Sequence, residues 1–496
     1  MDWAANMSGS SGMDTVRPAK LAERVAEALQ RDIAAIGWPV GRVFGSEAQL
    51  MERYGVCRST LREAVRQLER HGVVNMRRGS GGGLVISRPA RDSAALALAA
   101  YLELTDVSFE ELYEARELVE SQAVMLAAER LEEPDIPAAR LLIVELGQAQ
   151  PGCFNTELQL LGRVREFICQ VAGNPAISLL FEALQYVTVS GRTPRDPHVW
   201  LRVQEVFGEV RRLKIGLLEA LVAGNALEAR ERVRDKLRLT RELIVELRGS
   251  LKRGPTSAMS HLAAAPDFAF GKVYDKSGHR LAVVIARNIA ASGLGPGSRI
   301  GAEPDLQALH GVSRAVLREA VRTLELHAIL RSRRGPGGGL LVDTPDPSYT
   351  VRLAVEYLGQ AQPLGPHFHA VWKTLQPAVA GFAAARLDEH GRQRLQALLE
   401  SLQAASDVER LRRSGELDRC IAELCGNRAL ALFARVLSAV GESYPSGDVA
   451  QWILQRLGEH QARLGAAVLA GDTSLARRRM LDHIRLIETG FGLVED

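Results

Sequence analysis

The sequence predicts a mainly α fold: two winged helix-turn-helix domains, each followed by a long segment that is helical almost throughout. Three observations carry this. Residues 55–69, GVCRSTLREAVRQLE, return at 311–325 as GVSRAVLREAVRTLE, and the offset of 256 residues holds without a gap from Gly41/Gly297 to Leu84/Leu340. A glycine-rich ribbon follows each copy, RRGSGGGL at 77–84 and RRGPGGGL at 333–340. The remaining stretches carry apolar residues at helical spacing between Gly, Pro or Asn breaks.

An amphipathic helix over about 20–36 opens the first copy, and its counterpart spans about 279–291. Ser46-Glu47 (Ala302-Glu303) then start a short helix through Leu50 (Leu306), and Tyr54-Gly55-Val56 makes a tight turn into a second helix. There Leu61, Ala64, Val65 and Leu68 recur at i, i+3, i+4 and i+7 and form one buried face. Arg58, Arg62 and Arg66 fall four apart and make a basic stripe rotated away from that face, as do Arg314, Arg318 and Arg322 in the second copy. A helix, a turn at glycine and a second helix bearing exposed arginines is the helix-turn-helix arrangement. Val73-Val74 and Leu84-Val85-Ile86 read as strands around an Arg78-Gly79 tip, with Gly81 to Gly83 permitting unusual backbone angles. Taken alone, an arginine stripe is most often a solvated face and a glycine run a flexible turn. Their fixed order, found twice, argues against that simpler account.

At these residues the chain resembles the GntR superfamily of bacterial transcription regulators, whose DNA-binding segment typically reads like Ser-Arg-x-Thr-Val-Arg-Glu-Ala before a Gly-x-Gly wing. The resemblance implies that Arg58, Ser59, Thr60 and Arg62 meet bases and phosphates of a double-stranded DNA operator, with Arg78 and Gly79 at the wing tip. In the second copy it implies the same of Arg314, Arg318, Arg334 and Gly335. Ala315 and Val316 lack the hydroxyls of Ser59 and Thr60, and Ala48 and Pro304 stand where the family often has an arginine. Cys57 occupies a position that is usually serine, as at Ser313; it is either a redox-sensitive thiol or an inert small residue.

A length of 496 residues suggests three or four domains, and a net charge of +3 places any nucleic-acid affinity in local patches rather than in the overall field. Five cysteines without a Cys-x-x-Cys pair give neither a disulfide framework nor a zinc-finger pattern and fit a reducing cytoplasm. No apolar run approaches the roughly 18 residues that cross a membrane. Residues 1–16 read as a disordered extension, with Met13 an alternative start. There is no Gly-x-x-x-x-Gly-Lys-Ser/Thr and no His-Glu-x-x-His, and the glycine run leads into a strand, so neither an enzyme nor a bound cofactor is expected.

Domain boundaries follow from the repeat: winged domains at 17–90 and 271–345, helical segments at 91–251 and 346–496, and a Gly-, Pro-, Ser- and Ala-rich linker at 252–270. The helical halves match through Ala127-Ala128-Glu129-Arg130-Leu131 with Ala383-Ala384-Ala385-Arg386-Leu387, and through Gly173-Asn174 with Gly426-Asn427. They resemble the effector-binding (FCD-type) domain of the FadR-like branch, which implies an antiparallel bundle of six or seven helices.

Many such bundles hold a metal through an Asp, a His four residues on, and two further histidines. Counted from the Gly-Asn landmarks, the first bundle has Leu161, Arg165, Lys214 and Lys236 at those places, and no metal is expected there. The second has Ser414, Asp418, Gln461 and His483, with His460 one residue out of register, which leaves a residual site open. The family also places an arginine in Glu-x-Arg on the first bundle helix; Arg116 fits, and Trp372 replaces it in the second bundle. Arg116, Arg165, Lys214 and Lys236 are therefore expected to bind a small organic anion directly, unless the lysines face solvent or pair with Glu120 and Glu166. The whole reads as an effector-responsive repressor that acts as a single-chain pseudo-dimer, a homodimer of chains remaining open. The alternative is an architectural DNA binder whose ligand-free bundles are interaction surfaces.

Overall fold

The computed structural model describes residues 21–36, 39–70, 74–77, 79, 82–87, 91–149, 154–188, 197–250, 277–333, 339–359, 364–406, 409–410, 413–442 and 451–490. The disordered extension and the linker expected from sequence lie outside these residues. The chain divides into two compact units between Ala90 and Arg91.

The first unit contains α1 (Leu21–Ala35), β1 (Val43–Gly45), α2 (Glu47–Tyr54), α3 (Arg58–Arg70), β2 (Val74–Arg77) and β3 (Gly83–Ile86). Ser46 caps α2: its hydroxyl accepts from the Gln49 amide while the Gln49 side chain reaches back to the Ser46 N–H. Gly55, at φ 62°, ends the helix in the left-handed conformation that only glycine adopts without penalty. Leu61, Ala64, Val65 and Leu68 of α3 pack with Leu29 and Ile33 of α1 and with Val74, Leu84 and Ile86 of the sheet. The strands run antiparallel in the order β1-β3-β2. At Gly83 a Cβ would lie 2.5 Å from the Gly45 carbonyl oxygen, so glycine there is what lets β3 close on β1. β1 is only three residues long and carries no periodicity that sequence reasoning could have used.

The second unit begins with seven helices: α4 (Arg91–Leu104), α5 (Phe109–Arg130), α6 (Ile136–Gln148), α7 (Phe154–Ala172), α8 (Pro175–Thr188), α9 (Pro197–Val222) and α10 (Ala226–Ser250). A module of three helices and three strands follows: α11 (Ser277–Ala291), β4 (Arg299–Gly301), α12 (Glu303–His310), α13 (Arg314–Leu326), β5 (Leu330–Arg333) and β6 (Gly339–Val342). Its strand order, β4-β6-β5, and every paired residue repeat the first sheet displaced by 256: Val74↔Ile86 becomes Leu330↔Val342, and Arg77↔Gly83 becomes Arg333↔Gly339. Leu104 of α4 joins the core of this module, which fixes it to the helices before it.

After this module the described residues include the helices α14 (Ser348–Leu358), α15 (Leu364–Arg386), α16 (Glu389–Ala404), α17 (Ser414–Leu424), α18 (Arg428–Glu442), α19 (Gln451–Leu469) and α20 (Thr473–Gly490). One continuous hydrophobic core runs through both sets of helices. In each set the last two helices are joined by a tight turn and pack together, which makes them antiparallel neighbours.

The Gly-Asn landmarks pin the two bundles to each other. Asn174 accepts from the Ala176 and Ile177 amides through Oδ1, capping α8, and donates from Nδ2 to the His367 carbonyl at 2.9 Å. Asn427 caps α18 through Leu430 N–H and donates to the Glu111 carbonyl at the same 2.9 Å. Glu111 and His367 are themselves 256 apart, so these bonds are a pseudo-twofold pair. Around them the symmetry breaks. Arg428 makes two side-chain bonds to Glu111, at 3.0 and 2.7 Å, and Arg386 bridges to Glu114 at 2.5 Å. Burial raises the Glu111 pKa, but the Arg428 guanidinium and backbone N–H outweigh it and hold the carboxyl down to about 2.

Candidate functional site

The exposed face of α3 begins at its N-terminal turn. Arg58, Ser59 and Arg62 are exposed and Thr60 half-buried. Cys57 Sγ lies 3.2 Å from both Ser59 Oγ and Thr60 Oγ1, and these hydrogen bonds draw the exposed thiol down to about 7. Sequence reasoning did not anticipate the role of Glu47. One carboxylate oxygen accepts from Arg58 Nη2 at 2.9 Å and the other from Arg62 Nε at 2.7 Å, and this double pairing holds Glu47 down to about 2. Of the expected wing tip, Gly79 is exposed with φ 106°, and Arg78 lies outside the described residues.

In the second module Arg314, Ala315, Arg318 and Arg322 are exposed, whereas Val316 packs against the module's core. An open groove runs between α13 and the β5–β6 hairpin, bordered by Ala315, Arg318, Arg322, Ser332 and Arg333. Glu303, the counterpart of Glu47, makes no ion pair with Arg314 or Arg318 among the described residues. Arg334 and Gly335 lie outside them.

The first bundle does bring its basic residues together, but around a carboxylate of its own. Arg116 Nε donates to Glu120 Oε1 at 2.7 Å, Lys236 Nζ donates to Glu120 Oε2, and all three residues are buried. Lys214 Nζ donates to the Leu161 carbonyl at 3.2 Å, and Arg165 is half-buried nearby. Burial, reinforced by the charge of Lys236, brings Lys214 down to about 7. Burial works against ionisation of Glu120 as well, but Arg116 and Lys236 hold it at about 2. Lys236 is itself pushed down by burial, so the two partners pull in opposite senses. The ionised carboxylate prevails, because Glu120 faces two cations whereas Lys236 shares its one anion with Arg116. The cavity left beside Glu120, Lys214 and Lys236 is about 10 Å³, room for about one water. The open cationic pocket expected from sequence is thus filled from within. Of the alternative pairings, Lys236 takes Glu120, while Glu166 instead faces Arg91 at 3.4 Å.

In the second bundle Asp418, Gln461 and His483 are buried, with Asp418 Oδ1 3.9 Å from His483 Nε2. Neither His483 nitrogen, nor Asp418 Oδ1, nor either Gln461 amide atom has a hydrogen-bond partner among the described residues. Burial pushes Asp418 up to about 7, and burial together with the neighbouring His460 pushes His483 down to about 4. The residual site of Asp418, His460 and His483 is not assembled: Gln461 takes the place of one ligand beside Asp418 and His483, and no group of three His, Cys, Asp or Glu among the described residues could hold an ion. A cavity of about 210 Å³ lies beside Gln461, bordered by Gln403, Arg410 and Glu459. Trp372, in place of Arg116, is buried and stacks on Phe368 with ring centroids 5.3 Å apart.

The family model of the bacterial regulatory proteins, gntR family, matches residues 21–83, and the FCD domain model matches 111–239 and 368–486. The two FCD segments together make up half of the chain. The chain belongs to the gntR family. The duplication foreseen from sequence is met in the FCD domains, while the gntR model matches the first module alone. Relative to the first module, the second carries Ala302 for Ser46, Pro304 for Ala48, Ala315 for Ser59 and Val316 for Thr60.

Among gntR-family relatives, the Exu regulon transcriptional regulator of Escherichia coli K12 is 29% identical over 142 residues, 29% of this chain and 53% of that protein. The Uxu operon regulator of Haemophilus influenzae is 31% identical over 113 residues, 23% of this chain and 40% of its own. LutR of Bacillus subtilis, an HTH-type transcriptional regulator, is 27% identical over 201 residues, 38% of this chain and 85% of its own. The chain thus spans about half the length of the first of these relatives. A solved structure of Streptococcus agalactiae GntR aligns over 43% of this chain and 99% of that one, at 20% identity and a TM-score of 0.32. No helix among the described residues is long and apolar enough to cross a membrane.

Proposed function

We propose that this gntR-family chain is a DNA-binding transcription regulator, an effector-responsive repressor whose two operator-reading modules are carried by one polypeptide. The observation that carries the reading is the residue-for-residue repeat of the two sheets at an offset of 256, with the same exposed arginine pair on the helix that precedes each hairpin. Arg58 and Arg62 in one module, and Arg314 and Arg318 in the other, enter the major groove, where an arginine forks onto a guanine. Ser59 and Thr60 donate to phosphates and fix the register of α3, with the exposed Gly79 in the wing beside it. The Asn174 and Asn427 bonds supply within the chain an interface of the kind that two subunits otherwise provide.

In this reading an effector acts through the second bundle, where the unsatisfied Gln461 amide faces a cavity, and shifts the population between states of different operator affinity. The filled first bundle favours a second reading: an architectural DNA-binding protein whose ligand-free bundles serve protein interaction. A thermal-shift screen of sugar acids, carboxylates and amino acids separates the two. A ligand that stabilises the chain and releases DNA supports the sensor, and a DNA-binding chain that responds to none supports the architectural reading.

Two results are expected on DNA. Light scattering on the complex with a pseudo-palindromic duplex should give one chain per two half-sites; complexes that always hold two or more chains would rule out a built-in dimer. Arg62→Ala should weaken binding more than Arg318→Ala, because only the first module has the hydroxyls of Ser59 and Thr60. If each missing contact is worth about 0.5–1.5 kcal/mol, the second half-site is weaker by roughly 1–3 kcal/mol. Titration against duplexes with one half-site scrambled checks this, and equal losses for the two variants would refute the asymmetry.

A further inference from the structure

We propose that Glu47 is the specificity-setting residue of the first module: by holding Arg58 and Arg62 on one carboxylate it presents them to base edges as an oriented pair and weakens their hold on phosphates. The proposal rests on the DNA-binding reading above.

Its position follows from local structure. Glu47 is the first residue of α2, directly after the Ser46 cap, and the Gln49 side chain fixes that turn through a 2.9 Å bond to the Ser46 amide. The left-handed Gly55 then turns the chain so that the start of α3 faces the start of α2. Arg58 and Arg62 are one helical turn apart, so the two oxygens of a single carboxylate reach both.

The atoms used matter. Arg62 is held through Nε, which leaves its Nη1–Nη2 edge, a fork able to meet guanine O6 and N7. Arg58 is held through Nη2 and keeps Nη1 for a second contact. A guanidinium that is free to turn loses more side-chain entropy when it pairs with a base, and it finds a phosphate oxygen more easily. The carboxylate opposes both. It costs non-specific attraction by adding a negative charge beside the phosphates, and it favours the one arrangement that reads bases.

The second module is a built-in comparison. Glu303 sits at the matching position but follows Ala302, which has no capping hydroxyl, and precedes Pro304; the helix start is tied instead by Asp305 to the Ala302 amide at 3.2 Å. Glu303 holds neither Arg314 nor Arg318 among the described residues. The second module therefore grips DNA with less discrimination than the first.

The test uses the full chain and two probes: a random-sequence duplex, and a duplex enriched from a random library by the wild-type chain. Glu47→Gln should bind the random duplex several-fold more tightly, and the ratio of affinities for the enriched over the random duplex should fall about tenfold, within the range of one lost arginine–base pairing. The slope of log affinity against log salt should steepen by about one, as for one more phosphate contact. Glu303→Gln should leave the ratio unchanged. If Glu47→Gln weakens both duplexes by the same factor, Glu47 is merely structural and the proposal is overturned. An unchanged ratio, or an equal fall in Glu303→Gln, overturns it as well. A wild-type chain that enriches no duplex overturns the DNA-binding reading and this proposal together.

Discussion

Glu120→Ala should destabilise the second unit by about 3–5 kcal/mol, the range for breaking a buried ion pair from one side. The substitution leaves Arg116 and Lys236 without their carboxylate inside a bundle where Lys214 already lacks one, and the 10 Å³ cavity admits too little water to replace it. Glu120→Gln should cost nearly as much, since the loss lies in charge rather than volume. Replacing the triad together, as Arg116→Met, Glu120→Leu and Lys236→Met, should recover most of the stability, because the desolvation cost of all three charges disappears with their attraction. Urea unfolding of the full chain measures each variant. A loss below about 1 kcal/mol for Glu120→Ala would match a solvent-screened surface pair instead. The pH dependence supplies a second check. The folded pKa of Glu120 is depressed from 4.5 to about 2, so its contribution is fully present above 4.5 and is lost as the pH falls toward 2.

Asp418→Asn should do the reverse and stabilise the chain, with an effect that grows with pH. The Asp418 pKa is raised from 3.8 to about 7, so what this residue contributes is fully present below 3.8 and is lost as the pH rises through 7. Above 7 the chain carries an ionised carboxylate that accepts no hydrogen bond at Oδ1. A shift of about three units corresponds to about 4 kcal/mol at most, which the asparagine avoids because it is neutral at every pH. The charged or titratable groups near it are His483, at 3.9 Å, and Arg419, whose charge works weakly in the opposite sense. His483 has the opposite dependence. Its pKa is lowered from 6.5 to about 4, so stability is lost as the pH falls through 4, and that acid limb should persist in the asparagine variant. Urea unfolding at pH 5 and pH 8 distinguishes the outcomes. An equal gain at both would show that Asp418 is not the titrating group.

What could be read from sequence was what is local. Leu61, Ala64, Val65 and Leu68 announce a buried helix face because a helix repeats within four residues, and their placement in the core follows that pattern. The glycine ribbon foretold the hairpin, and Gly83 and Gly339 are where it matters. The three-residue strands β1 and β4 were missed because three residues carry no period. The deeper omissions are acidic. Glu120 looked like a partner for a lysine, yet only the approach of α10 to α5 shows that it occupies the place expected for a ligand's carboxylate. Glu47 looked like an ordinary first-turn acid, and its grip on residues 11 and 15 positions away depends on the turn at Gly55. Gly173-Asn174 and Gly426-Asn427 were legible as an internal echo, but the carbonyls they reach lie 193 and 316 residues off, a separation over which no sequence pattern reports.

The asparagine pins carry an evolutionary consequence. When two identical subunits meet across a twofold axis, every substitution appears twice, so any new contact must be tolerated by both copies of the seam. Here the two sides are encoded separately. Arg428 could arise opposite Glu111 without placing an arginine opposite His367, and the matching position across the axis is Pro175. The covalent link also keeps the halves at high local concentration, so a weakened contact on one side does not part them. Fusion therefore removes the requirement of self-complementarity and lets one half drift while the other keeps its role. The buried charges of the first bundle, the cavity beside Gln461 in the second, and the unequal hold on the two arginine pairs are divergences of the kind that an obligate homodimer could not have explored one side at a time.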